Sequence, residues 1–229
     1  IEIKDLALYL PKEETLIISD LHLGFEESLH QKGILIPKFY FKMLKERLEK
    51  LLSLPLQRII INGDLKHEFG SINEQEWREI LQLFDFIGEK VKEIIVIKGN
   101  HDAILQPIAQ KRNIAIKEDY ALGDIRIFHG DSLPKKEVKE RVIIIGHEHP
   151  AVSLKDKIKT EKYKCFLKGK WKNKTLIVMP SFNLLSEGND ILNDSLLSPF
   201  LKKNIQKFEL FVIGDEVYDF GKVKDIENV

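Results

Sequence analysis

Six of the seven histidines in this 229-residue chain fall in or beside five short polar turns. The turns are Asp20-Leu21-His22-Leu23-Gly24, Asn62-Gly63-Asp64-Leu65-Lys66-His67, Gly99-Asn100-His101-Asp102, His129-Gly130-Asp131 and Gly146-His147-Glu148-His149. A single histidine is more often a surface or core residue than a ligand. Six of them placed together with Asp20, Asp64 and Asp102 point to a shared ion. Imidazole, carboxylate and the amide oxygen of Asn100, without thiolate, suit manganese, iron, zinc or nickel and are too nitrogen-rich for calcium or magnesium. Asp-x-His and His-x-His each put two ligands into one turn, which demands a sharply bent backbone. Gly24, Gly63, Gly99, Gly130 and Gly146 are expected to supply that freedom.

The elements that must position these turns are legible in the hydrophobic pattern. Ile59-Ile60-Ile61 reads as a buried strand that Asn62-Gly63 ends abruptly, delivering Asp64 to a strand tip. Further strands are expected over 1–10, 15–19, 93–97, 113–117 and 141–145, with a hairpin over 120–129 turning at Gly123-Asp124. Helices are expected over about 37–52 (Leu44, Leu48, Leu51 and Leu52 inward) and 73–88 (Trp77, Ile80, Leu81 and Phe84 inward, Asn73 as N-cap), and near 103–111. Between Gly24 and Pro37 a polar turn is expected. After Pro150 the pattern turns to β, with arms near 151–155, 162–168 and 175–179, loop and short helix over 182–204, and a closing hairpin of 207–213 with 217–220. The change near 150 reads as a change of sheet within one domain spanning 1–229. Strands alternating with helices imply a partly parallel sheet, whose ligands bind beyond the carboxyl ends of its strands. All five turns lie at such ends.

In order along the chain, Asp20-Leu-His22, Gly63-Asp64, Gly99-Asn100-His101-Asp102, His129-Gly and Gly146-His147-x-His149 resemble the five motifs of calcineurin-like metallophosphoesterases. The longer runs Asp20-Leu-His-Leu-Gly-Phe-Glu-Glu and Asn62-Gly-Asp-Leu-Lys-His-Glu-Phe-Gly are similar to the ICC-like phosphoesterases of archaea and bacteria, which include DNA-ligase-associated phosphoesterases. Beyond 150 the likeness rests on Pro180-Ser181-Phe182-Asn183. The resemblance implies an α/β fold in which mixed β-sheets pack as a central sandwich flanked by helices. It implies two divalent metal ions, manganese first among the candidates: Asp20, His22 and His149 on one, Asn100, His129 and His147 on the other, and Asp64 bridging. It makes His101 the catalytic histidine, oriented by Asp102, and sets His67 behind the ligands rather than among them. The implied reaction is phosphoester hydrolysis by in-line attack of a metal-bridging hydroxide, with ions about 3.5–4 Å apart. The substrate expected is a phosphodiester, in a nucleotide or nucleic acid; a phosphomonoesterase and a non-catalytic binding scaffold on the same fold are the alternatives.

Composition narrows the setting. Equal numbers of basic and acidic residues, 36 each, give no global field for nucleic acid. A chain of this size hides roughly 70–75% of its surface on folding, so no disulfide or metal is needed to hold a core. The single Cys165 excludes an internal disulfide and multi-cysteine metal motifs, and reads as a small buried hydrophobe. With no apolar run of membrane length and no signal-peptide pattern, the expectation is a cytoplasmic protein without membrane association. Ser19 has no base in its turn, which argues against a serine nucleophile. The lysines between Lys155 and Lys174, interleaved with Tyr163, Phe166 and Trp171, suit either a phosphate-tracking surface or an exposed hairpin whose lysines discourage edge pairing.

Overall fold

The computed structural model describes residues 1–35, 37–155, 159–202 and 205–226. Its first sheet holds six strands in sequence order: β1 (Glu2–Lys4), β2 (Ala7–Leu10), β3 (Thr15–Ser19), β4 (Arg58–Asn62), β5 (Glu93–Ile97) and β6 (Ala115–Lys117). The first three run antiparallel, and β3 to β6 are parallel. The expected strand over 1–10 is in fact a hairpin, because Asp5 takes a left-handed conformation and Lys4 pairs with Ala7.

Three helices follow β3 and β4 in the chain. α1 (Phe25–Gln31) stands where a polar turn was expected; α2 spans Tyr40–Leu51 and α3 spans Glu74–Gly88. At the start of α3, Asn73 accepts from the Glu76 amide while Glu76 reaches back to the Asn73 amide, a reciprocal cap. Leu44, Leu48 and Leu51 of α2, with Ile80, Leu83, Phe84 and Ile87 of α3, are buried in the core shared with the first sheet. Trp77 and Leu81 pack against it, half-buried. α4 (Gln106–Gln110) sits against β6.

The second sheet is built from β7 (Asp119–Leu122), β8 (Ile125–Phe128), β9 (Val142–Ile145), β10 (Pro150–Lys155), β11 (Thr160–Trp171), β12 (Lys174–Val178), β13 (Asn189–Asp190), β14 (Glu209–Ile213) and β15 (Val217–Lys222). Their order is β13-β10-β11-β12-β9-β8-β7, with β14 on β11 and β15 on β14. The switch of sheet therefore falls between Lys117 and Asp119 and not near 150. Alternation along the strands splits two cores. Ile127, Ile144, Phe166 and Ile177 join the core of the first sheet, while Ile143, Ile145, Cys165, Leu167, Leu176 and Val178 face Phe200, Leu201, Phe208 and, from the short helix α5 (Val223–Ile226), Val223 and Ile226. The result is a two-sheet sandwich with α2 to α4 gathered on the first sheet. The described part of 182–204 carries β13 and turns, with no helix.

Register levels the strand ends that matter. Ser19 pairs with Asn62 and Asn62 with Ile97; Phe128 pairs with Ile145 and Ile145 with Val178. The next residues of each strand therefore emerge on one rim. The Phe182 amide donates to the Ser19 carbonyl at 2.8 Å, tying the two sheets together there.

Candidate metal centre

Bringing ligands from five strand ends to one rim requires severe local bending. Among the described residues nine non-glycines have φ in the left-handed region, and five are site residues: Asp20 (55°), His22 (49°), Asp64 (46°), His147 (63°) and His149 (50°). Each such conformation costs on the order of 1–2 kcal/mol in an L-residue. The bend thus lies in the ligand residues as well as in three of the expected glycines, Gly24 (85°), Gly63 (78°) and Gly130 (114°). Gly99 and Gly146, expected to provide it, have no left-handed φ and serve close approach instead. A Cβ on Gly99 would stand 2.2 Å from Asp64 Oδ1, and one on Gly146 would stand 2.0 Å from Ser19 Oγ.

The side chains converge in overlapping groups. Asp20, His22, Asp64 and His149 can each direct one donor atom into a set whose members lie within 4.8 Å of one another; Asp64, His129 and His147 form a second such set. Asp64 belongs to both. In the first, His149 Nε2 is 3.2 Å from Asp20 Oδ1 and 3.4 Å from His22 Nε2. In the second, His129 Nε2 is 3.3 Å from Asp64 Oδ2 and 3.0 Å from Asn100 Oδ1. His22, His67 and His101 make a third set by the same measure, without Asp64.

This donor set fits divalent ions. Two imidazole nitrogens that face each other at 3.4 Å beside two carboxylates repel unless a cation or a shared proton lies between them. His129 Nδ1 points at the Asn62 carbonyl (3.3 Å), which fixes its tautomer and leaves Nε2 toward the two oxygens, the usual arrangement behind a metal-binding histidine. Burial, then the neighbouring His149, drives the His22 pKa down to about 3; burial and His101 drive His67 down to about 4. Both are therefore neutral at pH 7, as a ligand must be. Their buried Nδ1 atoms have no hydrogen-bond partner among the described residues. Burial opposes ionisation of Asp20 and Asp64, but the surrounding histidines overcome it and hold both carboxyls below their ordinary range. Burial lowers the His129 pKa, but the Asp64 and Asp20 carboxylates beside it outweigh burial and raise it to about 9.

The expected partnership of His101 with Asp102 is not what the structure shows. Asp102 Oδ1 accepts from the amides of Leu65 (3.1 Å) and Lys66 (3.3 Å), and Oδ2 from the Gly99 amide (2.9 Å). It staples the Asp64 turn to the Gly99 turn, and its three hydrogen bonds go to backbone amides rather than to the imidazole. Burial and the Asp64 charge raise its pKa to about 6. His101 is held instead through Nδ1 by the His67 carbonyl, its own amide donates to Asp64 Oδ1 (2.9 Å), and its Nε2 faces Asp64 Oδ2 at 3.9 Å.

Several supporting residues were not identified as such from the sequence. The Ser19 hydroxyl lies 2.6 Å from Asp20 Oδ2 and 2.8 Å from the Asn62 carbonyl, so it orients a ligand. Ser181 Oγ donates to the Asp20 carbonyl at 2.7 Å. Lys164 turns its ammonium inward onto the carbonyls of Ser181 (2.7 Å) and Asn183. Nothing in the lysine-rich run distinguishes it. The other lysines there are largely engaged: Lys159 with Glu161, Lys168 with Glu209, Lys174 with the Glu140 carbonyl and Lys172 over Trp171. β11 pairs with β10 over 160–164, with β14 over 165–168 and with β12 over 167–171. Lys157 lies outside the described residues.

A two-sheet sandwich with a histidine–aspartate centre on the rim formed by the carboxyl ends of its parallel strands defines a metal-dependent phosphoesterase fold. The family profile described as calcineurin-like phosphoesterase matches residues 14–219. The chain belongs to that family. Among solved structures it is similar to Pseudomonas putida nuclease MPE, at 19% identity over 94% of this chain and 92% of that chain, TM-score 0.66. It is also similar to Yfce, a phosphoesterase from E. coli, at 14% identity over 91% of this chain and 97% of that chain, TM-score 0.45. No curated protein matches the chain.

Proposed function

We propose that the chain is a dinuclear-metal phosphodiesterase acting on nucleotides or nucleic acid. The observation that carries the reading is the shared position of Asp64 in two ligand sets, with His101 beside it. Asp20, His22 and His149 would hold one ion and Asn100, His129 and His147 the other, with Asp64 common to both and manganese the first candidate over iron, zinc or nickel. When bound, such ions supply Lewis-acid polarisation of a phosphoryl oxygen and an activated water.

The chain's own groups do the rest. His101 receives a fixed orientation from the His67 carbonyl on Nδ1, so Nε2 is the nitrogen directed at the reacting phosphate. As an imidazolium it protonates the leaving oxygen from Nε2, and the carbonyl steadies the positive ring from behind. Asp102 and Ser19 fix the two carboxylate-bearing turns and exclude alternative rotamers. No arginine stands in the five turns to clamp a terminal phosphate, which favours a diester over a monoester. The nuclease named above has the same fold and an activity of the proposed class.

The test is to load the protein with Mn²⁺ and compare a phosphomonoester, a simple phosphodiester and single-stranded DNA. Faster turnover of the diesters supports the reading. Preference for the monoester replaces it with a phosphatase, and hydrolysis of none by fully metallated protein leaves a binding scaffold.

A further inference from the structure

Phe69 is 63% exposed, and its ring lies over that of His101 with centroids 3.6 Å apart and planes inclined by 33°. A lone exposed apolar residue is ordinary. What sets this one apart is how firmly it is presented. Lys66 is completely buried, and its ammonium binds the carbonyls of Glu68 and, at 2.9 Å, Ser71. Buried Glu76 takes the amides of His67 (3.1 Å), Glu68 (2.8 Å) and Asn73 (3.0 Å). Two buried charged side chains thus pin the backbone of the loop on both sides of Phe69, so the residue is carried at a fixed place beside His101. One ring face covers His101; the other stays open beside the centre.

We infer that Phe69 is a stacking platform for an unpaired nucleobase next to the phosphate held at Asp64 and His101. The inference rests on the phosphodiesterase reading and names what the substrate carries beyond its phosphate. An exposed aromatic face next to side chains that could hold cations matches the two halves of a nucleotide, base and phosphate. A base in van der Waals contact would lie about 3.5–4 Å beyond the Phe69 ring. Stacking of this kind tolerates any base, because each has a π-face, so the platform confers preference for a base-bearing ester without sequence choice.

The test compares wild type, Phe69→Ala and Phe69→Trp on single-stranded oligonucleotides that carry either an intact residue or an abasic site at the position being cleaved. Removing the base should lower the wild-type kcat/KM roughly 10-fold, and Phe69→Ala should lower it by a similar factor on the intact strand, a size typical of one base–aromatic stack. The two losses should not add, and Phe69→Trp should restore the rate. Additive losses would overturn the platform and leave Phe69 a support for His101; no loss would overturn it outright. A second readout is independent of turnover. A 2-aminopurine at the same position should be quenched on binding to the zinc-loaded wild type and to Phe69→Trp, and not by Phe69→Ala. If no ester is hydrolysed, the phosphodiesterase reading fails on its own. The fluorescence still decides for the platform, which equal quenching by wild type and Phe69→Ala overturns.

Discussion

A methyl group at Gly99 tests the geometry of the centre most directly. Gly99 follows β5 closely, and the Cβ of an alanine there would meet Asp64 Oδ1 at 2.2 Å, Asp64 N at 2.3 Å and Asp64 Cγ at 2.9 Å. Restoring the 3.0 Å that real contacts respect moves the carboxylate or the strand end by about 0.8 Å. Neither can retreat freely, because Asp102 ties the Gly99 amide to those of Leu65 and Lys66 and the His101 amide holds Asp64 Oδ1. Overpacking a rigid site of this kind costs about 1–3 kcal/mol, and clashes with both backbone and side chain place Gly99→Ala near the upper end. Metal–ligand distances tolerate about 0.2 Å, so the displaced Asp64 should also weaken ion binding by on the order of 100-fold. Urea denaturation of chelated protein measures the first quantity, and calorimetric titration with Mn²⁺ the second. Gly88→Ala is the control: at the last position of α3, with nothing inside 4 Å of the new Cβ, it should lose no stability and gain at most about 0.5–1 kcal/mol. A Gly99→Ala protein within about 0.5 kcal/mol of wild type and with unchanged ion affinity would refute the close-approach account, since that margin is what an inert surface change shows.

His101→Ala should keep its ions by elemental analysis and lose roughly 100-fold or more of turnover, the usual share of a general acid; full turnover would remove His101 from its role. Asp64→Asn should lose at least one ion, and recovery of two per chain would contradict the shared position. Lys164→Met strips the Ser181 and Asn183 carbonyls of their donor and should cost about 1–3 kcal/mol near neutral pH in urea denaturation. Burial, then Arg47, lowers the Lys164 pKa from 10.5 to about 7 in the fold. Between those values the unfolded chain holds the extra proton, so wild type should gain stability relative to Lys164→Met as pH rises through that window. A difference flat from pH 6.5 to 9.5 would show that the two carbonyls keep the ammonium charged. Cys165, fully buried and with its thiol pushed far up, should resist alkylation until the chain unfolds.

The sequence displayed the parts that depend on short range. The isoleucine runs of β4 and β9 and the Asn73–Glu76 cap announce themselves by period and spacing. All the proposed ligands stand in turns whose position follows from the strands. What stayed hidden depends on which faces meet. The seven-residue helix α1 begins at Phe25 with too little periodicity to separate it from a turn. Asp102 sits next to His101 in sequence, yet its carboxylate turns to three backbone amides across the cluster; adjacency says nothing of rotamer. Lys164 is one of nine lysines in a run, and only the packing of β11 against the Ser181–Asn183 segment selects it. Gly99 and Gly146 looked like bends and proved to be gaps left for Asp64 and Ser19.

The five left-handed ligand residues have a bearing on how such a chain can change over evolutionary time. Substitutions that relax Asp20, His22, Asp64, His147 or His149 would remove strain comparable in sum with the whole net stability of a domain. Drift toward a sturdier, inert protein is therefore downhill at the very positions that bind ions. On the reading proposed above, ion binding is what offsets this cost in the present chain. A descendant released from that demand would be expected to lose these residues before it loses the sandwich around them.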